Sequence, residues 1–564
     1  MRVIGLRPCL VSGLVALLAT GCERAASPAS TGTAVVLVGQ QASRPVPTMM
    51  EDAAHRTTAN TDVADVLFLR LAAVGPDNTT SGDDGFQPQL AKSWTRRDSI
   101  TLVFELDERA RWHDGTPVTA RDVVFTFDRA RDTTLSPTTS QLLRRISAVE
   151  ADGDHRIVVR FTEPYSEQLY DATFHVQPVP EHLLRGLTPA TLDSSRYLAN
   201  PVGNGAFRWV RSVPDQLVEL AAVPDFFLGS PGLSRVVFRT VADADARISL
   251  MLSGEGDAVA APVPPITNRE RLAAVPGLRF VATPSTTVGY LLFNSRVRGD
   301  PSRPHPILGD VRVRRALGLA LDRQAMAQSA YGPEAKVPYG PVSRGLWISR
   351  LLPAAAGRDT AAARALLADA GWRDGDGDGV LDRRGRPLRL TLSLPAPSAV
   401  RKQLALQAQE QLRAIGVRLD LALLDGPVWS QQRAAGDFEI DFSSATQDPT
   451  PAGLTQSWSC RGGSNVAQYC NPAVDSLMDR AIVSLDGGAE VWKEVARRVE
   501  EDAPAIFLYS PVAEYAVSAR YENVVIRPTG TWSELWRWTV PADRTVARDT
   551  ARRGSVARDS AAGR

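Results

Sequence analysis

The stretch Leu102–Arg131 reads LVFELDERARWHDGTPVTARDVVFTFDRAR. Leu102, Phe104 and Leu106 alternate with Val103, Glu105 and Asp107, the period-2 pattern of a strand. His113-Asp114-Gly115 then supplies a turn, since Gly accepts positive φ and Asp can bond nearby backbone. Thr119 opens a helix. Its hydroxyl is placed to cap the N–H of Asp122 while Asp122 reaches back, and Val118 and Val123 occupy the flanking staple positions. Val123, Val124 and Phe127 give the helix an apolar face. Strand, turn and capped helix agree, so the stretch is expected to be a rigid structural unit rather than a cluster of reactive groups.

The run Trp112-His113-Asp114-Gly115-Thr116-Pro117-Val118-Thr119-Ala120-Arg121-Asp122-Val123-Val124-Phe125-Thr126 resembles the signature of the extracellular solute-binding proteins of family 5. These are the oligopeptide-, dipeptide- and nickel-binding receptors of ABC importers. Further segments are similar to the family's in the same order: Pro88–Trp94, Val179–Leu184, Asn200–Phe207, Tyr290–Asn294 and Asp310–Arg323. The likeness covers most of Val35 to Val540. It implies an α/β, two-lobed periplasmic-binding-protein fold, with mixed sheets flanked by helices and an extra small domain in the first lobe. Residues 34–60, 200–285 and 507–541 would form the first lobe's core, 61–199 its extra subdomain, and 286–506 the second lobe. The strand Ala505–Tyr509 would return the chain to the first lobe.

Composition sets the outer limits. A chain of 564 residues is too long for one core. With 64 basic and 63 acidic residues the net charge is +1, which offers no basic field for nucleic acid. At the N-terminus Arg2 and Arg7 precede the apolar run Leu10–Ala19, an export-signal pattern spanning 1–21 and too short to cross a bilayer. Leu18-Ala19-Thr20-Gly21-Cys22 resembles a bacterial lipobox, which would make Cys22 the lipidated mature terminus in the periplasm or on the cell surface. Residues 22–33, rich in Ala, Ser, Pro and Thr, read as a tether, and 542–564 as a disordered tail.

Of four cysteines, Cys9 would leave with the signal and Cys22 would carry lipid. Cys460 and Cys470 remain, and an exported chain favours a disulfide between them, which could contribute about 3 kcal/mol. A two-cysteine metal site is the alternative, but no His lies near. Asp374, Asp376 and Asp378 repeat the spacing that opens an EF-hand loop, with Asp382 at the ninth position. Gly385 stands where a bidentate Glu belongs, so calcium competes here with a plain polar turn. No cofactor is otherwise expected.

Coarse periodicity places a helix over Asp62–Leu71, with Val63, Val66, Leu67 and Leu71 on its apolar face, and another over Val311–Met326. Leu388–Leu394, the helix Ser398–Ile415 and the strand from Val417 to Leu423 read as a parallel crossover.

The six His are scattered, and H-E-x-x-H, G-x-S-x-G and Walker patterns are missing, so no enzyme is expected. An exported hydrolase on the same scaffold is the rival reading. The resemblance places the ligand between the lobes, near Asp441–Pro449. Peptide-binding members carry an Asp three positions before the acid-Pro pair, where it meets the peptide ammonium. Here that position is Ala445, ahead of Asp448-Pro449. Candidate contacts are Phe442, Thr446, Gln447, Asp448, Trp458 and Asn465. The expected partners are a peptide-like solute (with a glycoside, opine-like compound or metal chelate as the alternative), the permease subunits of an ABC importer, and the membrane through the lipid. The receptor is expected to be a monomer.

Overall fold

The computed structural model describes residues 32–47, 50, 57–134, 137–192, 194–261, 266–297, 300–396 and 398–550. The signal 1–21, Cys22, the tether as far as residue 31 and the tail from 551 lie outside the described residues.

Three larger sheets organise the chain. The first has seven strands in the order Leu278–Pro284, Val512–Ser518, Ala258–Ala261, Thr33–Val38, Arg235–Thr240, Leu217–Ala222, Phe207–Val213. Thr33–Val38 runs parallel to both its neighbours and is buried along its whole length. Its unbroken apolar run is what a strand covered on both faces requires. The second sheet is antiparallel, in the order Ala91–Asp98, Thr101–Leu106, Arg156–Phe161, Ile146–Ala151. The third has five strands: Arg418–Leu424, Arg389–Pro395, Ile440–Thr446, Thr287–Phe293, Ala505–Tyr509. Its first three strands are parallel, and the helix Ala399–Arg413 makes the expected crossover between two of them. Leu392, Phe442 and Leu508 fill the core on one face of this sheet; Tyr290, Trp458 and Phe507 fill the other. The core of the first lobe is continuous from the seven-stranded sheet into the four-stranded one.

The opening stretch forms strand Thr101–Leu106 and helix Ala120–Arg131. The Asp122 carboxylate accepts the Thr119 N–H at 2.8 Å and, through its other oxygen, the Glu181 N–H at 2.9 Å. One residue thus caps the helix and docks the 181–184 segment. The His113 turn is a clasp. Its Nδ1 accepts the Gly203 N–H at 3.2 Å, its Nε2 donates to Gly205 O at 3.0 Å, and its own N–H reaches Gly203 O at 2.8 Å. Burial lowers the His113 pKa to about 4, so the ring is neutral and fixed in one tautomer. Gly203 and Gly205 also donate little bulk where the Leu67 carbonyl enters: a Cβ would lie 2.1 Å from Leu67 O at Gly203 and 2.4 Å from Val66 O at Gly205.

Four expectations are corrected. The helix expected over Asp62–Leu71 runs Thr58–Leu67, because the Thr57 hydroxyl caps its start and Phe68 is already extended. The helix over Val311–Met326 is two helices, Val311–Ala320 and Arg323–Tyr331. Asp322 breaks the run because its carboxylate caps the Ala325 N–H at 3.0 Å, while its own N–H goes to the Gln411 side chain. Strand Ala505–Tyr509 stays in the five-stranded sheet, paired with Thr287–Phe293; the return to the first lobe falls at Ser510-Pro511, beyond the boundary expected at 506/507. The tail is structured through residue 550 rather than disordered from 542. Asp549 accepts the Thr33 N–H at 2.7 Å and pairs with Arg520 at 2.7 Å, and Arg548 pairs with Asp257.

Gly203→Ala should destabilise the first lobe by about 3 kcal/mol or more, because the Leu67 carbonyl is backbone and cannot swing away. Chemical denaturation followed by circular dichroism would measure the loss, and a Gly357→Ala control, with open space around the Cβ and no positive φ, should lose far less.

Candidate functional site

The chain passes between the lobes twice. Leu278–Pro284 leads through Ser285-Thr286 into Thr287–Phe293, and Ala505–Tyr509 leads through Ser510-Pro511 into Val512–Ser518. Beside these crossings lies a cleft of about 460 Å³. The first lobe lines it with Thr58, Thr61, Asp62 and Asp65 of the helix Thr58–Leu67, with Arg70, and with the segment 527–531. The second lobe contributes Thr286, Thr446, Gln447, Asp448 and Pro449. Thr446 and its followers sit at the open end of strand Ile440–Thr446, where the buried pattern gives way to exposure.

The second-lobe wall is held rigidly. The Gln447 N–H donates to Thr286 O at 3.0 Å, and its side chain donates to Pro341 O at 2.7 Å and accepts the Ser343 N–H at 3.2 Å. Thr446 and Thr287 hydroxyls are 3.1 Å apart. In the first-lobe wall the charges are mostly committed. Arg70 donates to Asp65 at 2.8 Å and to Phe174 O at 3.0 Å; Gln177 adds a second donor to Asp65 at 3.1 Å. Arg527 is buried, with Glu534 at 2.7 Å and the Val74 carbonyl at 3.2 Å.

The lobes touch along one flank of the cleft. The Asn78 side chain donates to Gly345 O at 3.1 Å, and Arg350 donates to Asp77 O at 3.0 Å. The Thr450 hydroxyl of the second lobe bonds Glu167 of the first. Burial, with Asp171 as a like charge nearby, pushes Glu167 up to about 8; Asp171, also buried, rises to about 6 despite accepting the Tyr165 hydroxyl at 2.7 Å. The inter-lobe seam is therefore acidic and dry, and it favours the protonated form of Glu167 at neutral pH.

Three of the six candidate contacts, Thr446, Gln447 and Asp448, line the cleft together. The other three are placed elsewhere. Phe442 is fully buried beneath the sheet, because strand Ile440–Thr446 is interior and covered on both faces. Trp458 is also core, with ring centroids 5.5 Å from Tyr290 and 5.2 Å from Phe507. Asn465 braces its own loop, donating to Ser459 O and Tyr469 O. In that same region Cys460 and Cys470 are joined by a disulfide. Asp374, Asp376 and Asp378 are exposed, with oxygens within 4.8 Å of one another; Asp382 is not in that group and instead accepts the Gly375 N–H at 3.1 Å. Asp374 and Asp378 likewise accept backbone N–H groups of their own loop. The first-lobe wall was not anticipated, although a signal existed: Thr58, Thr61, Asp62 and Asp65 form a polar stripe at helical spacing opposite the apolar face.

A family model described as bacterial extracellular solute-binding proteins, family 5 middle, matches residues 85–466. The chain belongs to this family. A putative ABC transporter peptide-binding protein of Brucella ovis is 28% identical over 455 residues, covering 78% of this chain and 81% of that protein. The oligopeptide-binding protein AppA of Bacillus subtilis is 23% identical over 502 residues, covering 87% and 89%. AppA solved with a nonapeptide aligns at a TM-score of 0.69 over 91% of this chain and 100% of that one. NikA of Brucella suis, solved with Fe(III)-EDTA, aligns at 0.75 over 90% and 100%, at 18% identity. These likenesses show the two-lobed periplasmic-binding-protein fold. The cleft thus lies between the two lobes of a family-5 protein, and the family is one of binding proteins. Among the described residues no helix is long and apolar enough to cross a membrane.

The seam gives this family-5 protein a pH dependence of definite sign. Glu167 holds its proton more tightly when folded, about 8 against an ordinary 4.5. Its contribution to stability is therefore complete below about pH 4.5 and is lost as pH rises through about 8. Glu167→Gln keeps an acceptor for Thr450 without the charge. It should flatten the fall of Tm between pH 5.5 and 8.5, gaining about 1–3 kcal/mol over wild type at the upper end.

Proposed function

We propose that this chain is the peptide receptor of an ABC importer, tethered to the membrane by lipid on Cys22, working as a monomer and handing its solute to the permease subunits. The observation that carries the reading is the cleft itself: polar side chains from both lobes face one space, and that space adjoins the two short crossings about which the lobes can turn. A solute touching Thr446–Asp448 on one side and the Thr58–Leu67 helix on the other stabilises the closed arrangement by its differential contacts. The permease would then read the closed form as loaded. The printed names of the Brucella and Bacillus relatives support peptide as the solute. The cleft volume sits in the ordinary range for small-ligand sites, about 300–1,000 Å³, which favours a short peptide over a long one.

One observation keeps a non-peptide solute as the second reading. Ala445 brings no carboxylate to the second-lobe wall, and a structural neighbour was solved with a metal chelate.

Native mass spectrometry of the purified mature protein should show a bound species of peptide mass, and short peptides should raise Tm in a dose-dependent way. A chelate or glycoside in its place would overturn the peptide assignment. Metabolic labelling with a radioactive fatty acid should mark the wild type, and the label should vanish in Cys22→Ser; a labelled variant would refute the anchor.

A further inference from the structure

The charges lining the cleft do not balance. Arg70 and Arg527 face it, but each is committed to protein partners: Arg70 to Asp65 and a carbonyl, Arg527 to Glu534 and a carbonyl. Asp65 has in turn two donors of its own. Asp62 differs. It lies one helical turn before Asp65 on the helix Thr58–Leu67, half-buried, in the wall facing Thr446–Asp448. Among the described residues no Arg or Lys pairs with it; its carboxyl is hydrogen-bonded by Trp532, itself buried. A carboxylate in a part-dry cavity, held by a neutral donor and set beside a second acid, is destabilised unless a cation arrives.

We propose that Asp62 is the specificity-determining carboxylate of the cleft and receives a primary ammonium of the solute, the cation that the protein does not supply. This rests on the peptide reading above, since every unblocked peptide carries such a group at its N-terminus. Ala445 contributes no charge on the opposite wall, so the ammonium is read from the first lobe. Around it the hydroxyls of Thr58, Thr61 and Thr531 line the same space and can accept its remaining N–H bonds. Trp532 orients the carboxylate, and the ammonium–carboxylate bond forms in a closed cleft, where it is stronger than in water.

Electrostatics agree with the geometry. Burial, then Asp65, push Asp62 up to about 7, while Trp532 acts the other way. The titratable and charged groups around it are Asp65 on its own helix, Tyr515 on strand Val512–Ser518, Arg70 and Arg527 in the same wall, and Asp448 across the cleft. Pairing with an ammonium requires the ionised form, so binding expels a proton and weakens in acid.

The test uses the full mature protein and an enzymatic digest of casein, one half left free and one half acetylated at every amine. Captured peptides are identified and counted by mass spectrometry. Wild type should retain free peptides at least ten-fold more than acetylated ones. At pH 5.5 it should retain about ten-fold less than at pH 7, where a carboxyl titrating near 7 is half ionised and a terminal amine, with an ordinary pKa of about 7.7–8.0, is still mostly protonated. Asp62→Asn should lose the preference for free amines. Acetylation acts on the wild type, so the inference stands or falls even if that variant misfolds. Equal capture of both halves by wild type, or an unchanged preference in Asp62→Asn, overturns Asp62 as the ammonium site and leaves the peptide reading intact. Capture of neither half overturns the peptide reading and the ammonium site with it. The sequences separate the two sources of ammonium: lysine-free peptides in the captured set mean the N-terminal amine, and their absence means a lysine side chain.

Discussion

Both crossings between the lobes belong to a single two-stranded ribbon. In the first lobe Leu278–Pro284 pairs with Val512–Ser518, ending with Pro284 opposite Val512. In the second lobe the same two chains pair again, with Gly289 opposite Tyr509. Between these ladders lie Ser285 and Thr286 on one side and Ser510 and Pro511 on the other. Pro511 has no N–H to give, so the ladder is interrupted where the lobes must turn. The gap is not slack. Ser510 donates its N–H to Lys336 O at 2.8 Å and its hydroxyl to Thr287 O at 3.1 Å, and Gly345 donates to Ser285 O at 2.9 Å. A Cβ on Gly345 would lie 2.7 Å from the Thr286 side chain, so only glycine lets that loop press on the crossing. Ser285, Thr286 and Ser510 are therefore braced by second-lobe loops. Thr286 also accepts the Gln447 N–H, so a solute resting on Thr446–Asp448 rests on the hinge.

The acidity of the inter-lobe space follows from the same closeness. Asp62, Glu167 and Asp171 all have raised pKa values, and in each case burial is the first cause. Closure removes water from carboxyls, and each must then take a proton, a hydroxyl or a cation. Glu167 has Thr450 from the other lobe and Thr80 from its own. Asp171 has Tyr165. Asp62 has Trp532 and an open cavity. The same desolvation that makes the seam proton-binding makes the cavity cation-binding, and the difference lies in what stands next to each carboxyl.

Much of the scaffold could be read from the chain because its signals are local. The capping pair Thr119 and Asp122 and the turn at His113-Asp114-Gly115 each depend on neighbours a few residues away. What His113 bonds is not local: Gly203 and Gly205 lie ninety residues on, and their need for glycine comes from the Leu67 carbonyl of a third segment. The cleft was half legible. Motif likeness located Thr446–Asp448 but could not say where the strand leaves the core, so Phe442 was placed in the cleft with them. Periodicity reports two faces of a strand, and here both are interior. The break at Asp322 was hidden because apolar phase continues through it, though Asp322 itself is a helix-opening residue. The polar stripe Thr58–Asp65 was not legible from the apolar phase, which places the helix at Asp62–Leu71 and leaves Thr58 and Thr61 outside it, whereas it runs Thr58–Leu67.

The two ends of the described chain meet in the first lobe, where Thr33 bonds Asp549. Thr33–Val38 is parallel to Ala258–Ala261, which is antiparallel to Val512–Ser518, the strand that leaves the hinge at Val512. Val36 is level with Ala258 and Ala258 with Val517, so Thr33 lies at the end of the sheet farthest from the hinge. Thr33 is pinned there from both directions: Asp549 accepts its N–H, and Arg520 and Tyr521 donate to its carbonyl, each at 2.6 Å. Asp257 ties the same knot through Arg520 and Arg548, with its other oxygen on the Val35 N–H at 2.9 Å. A pull on a tether beginning at Cys22 would enter the first lobe through this buried ion cluster, a strand's length of about 17–20 Å from the crossings. Such a force would bypass Ser285 and Pro511.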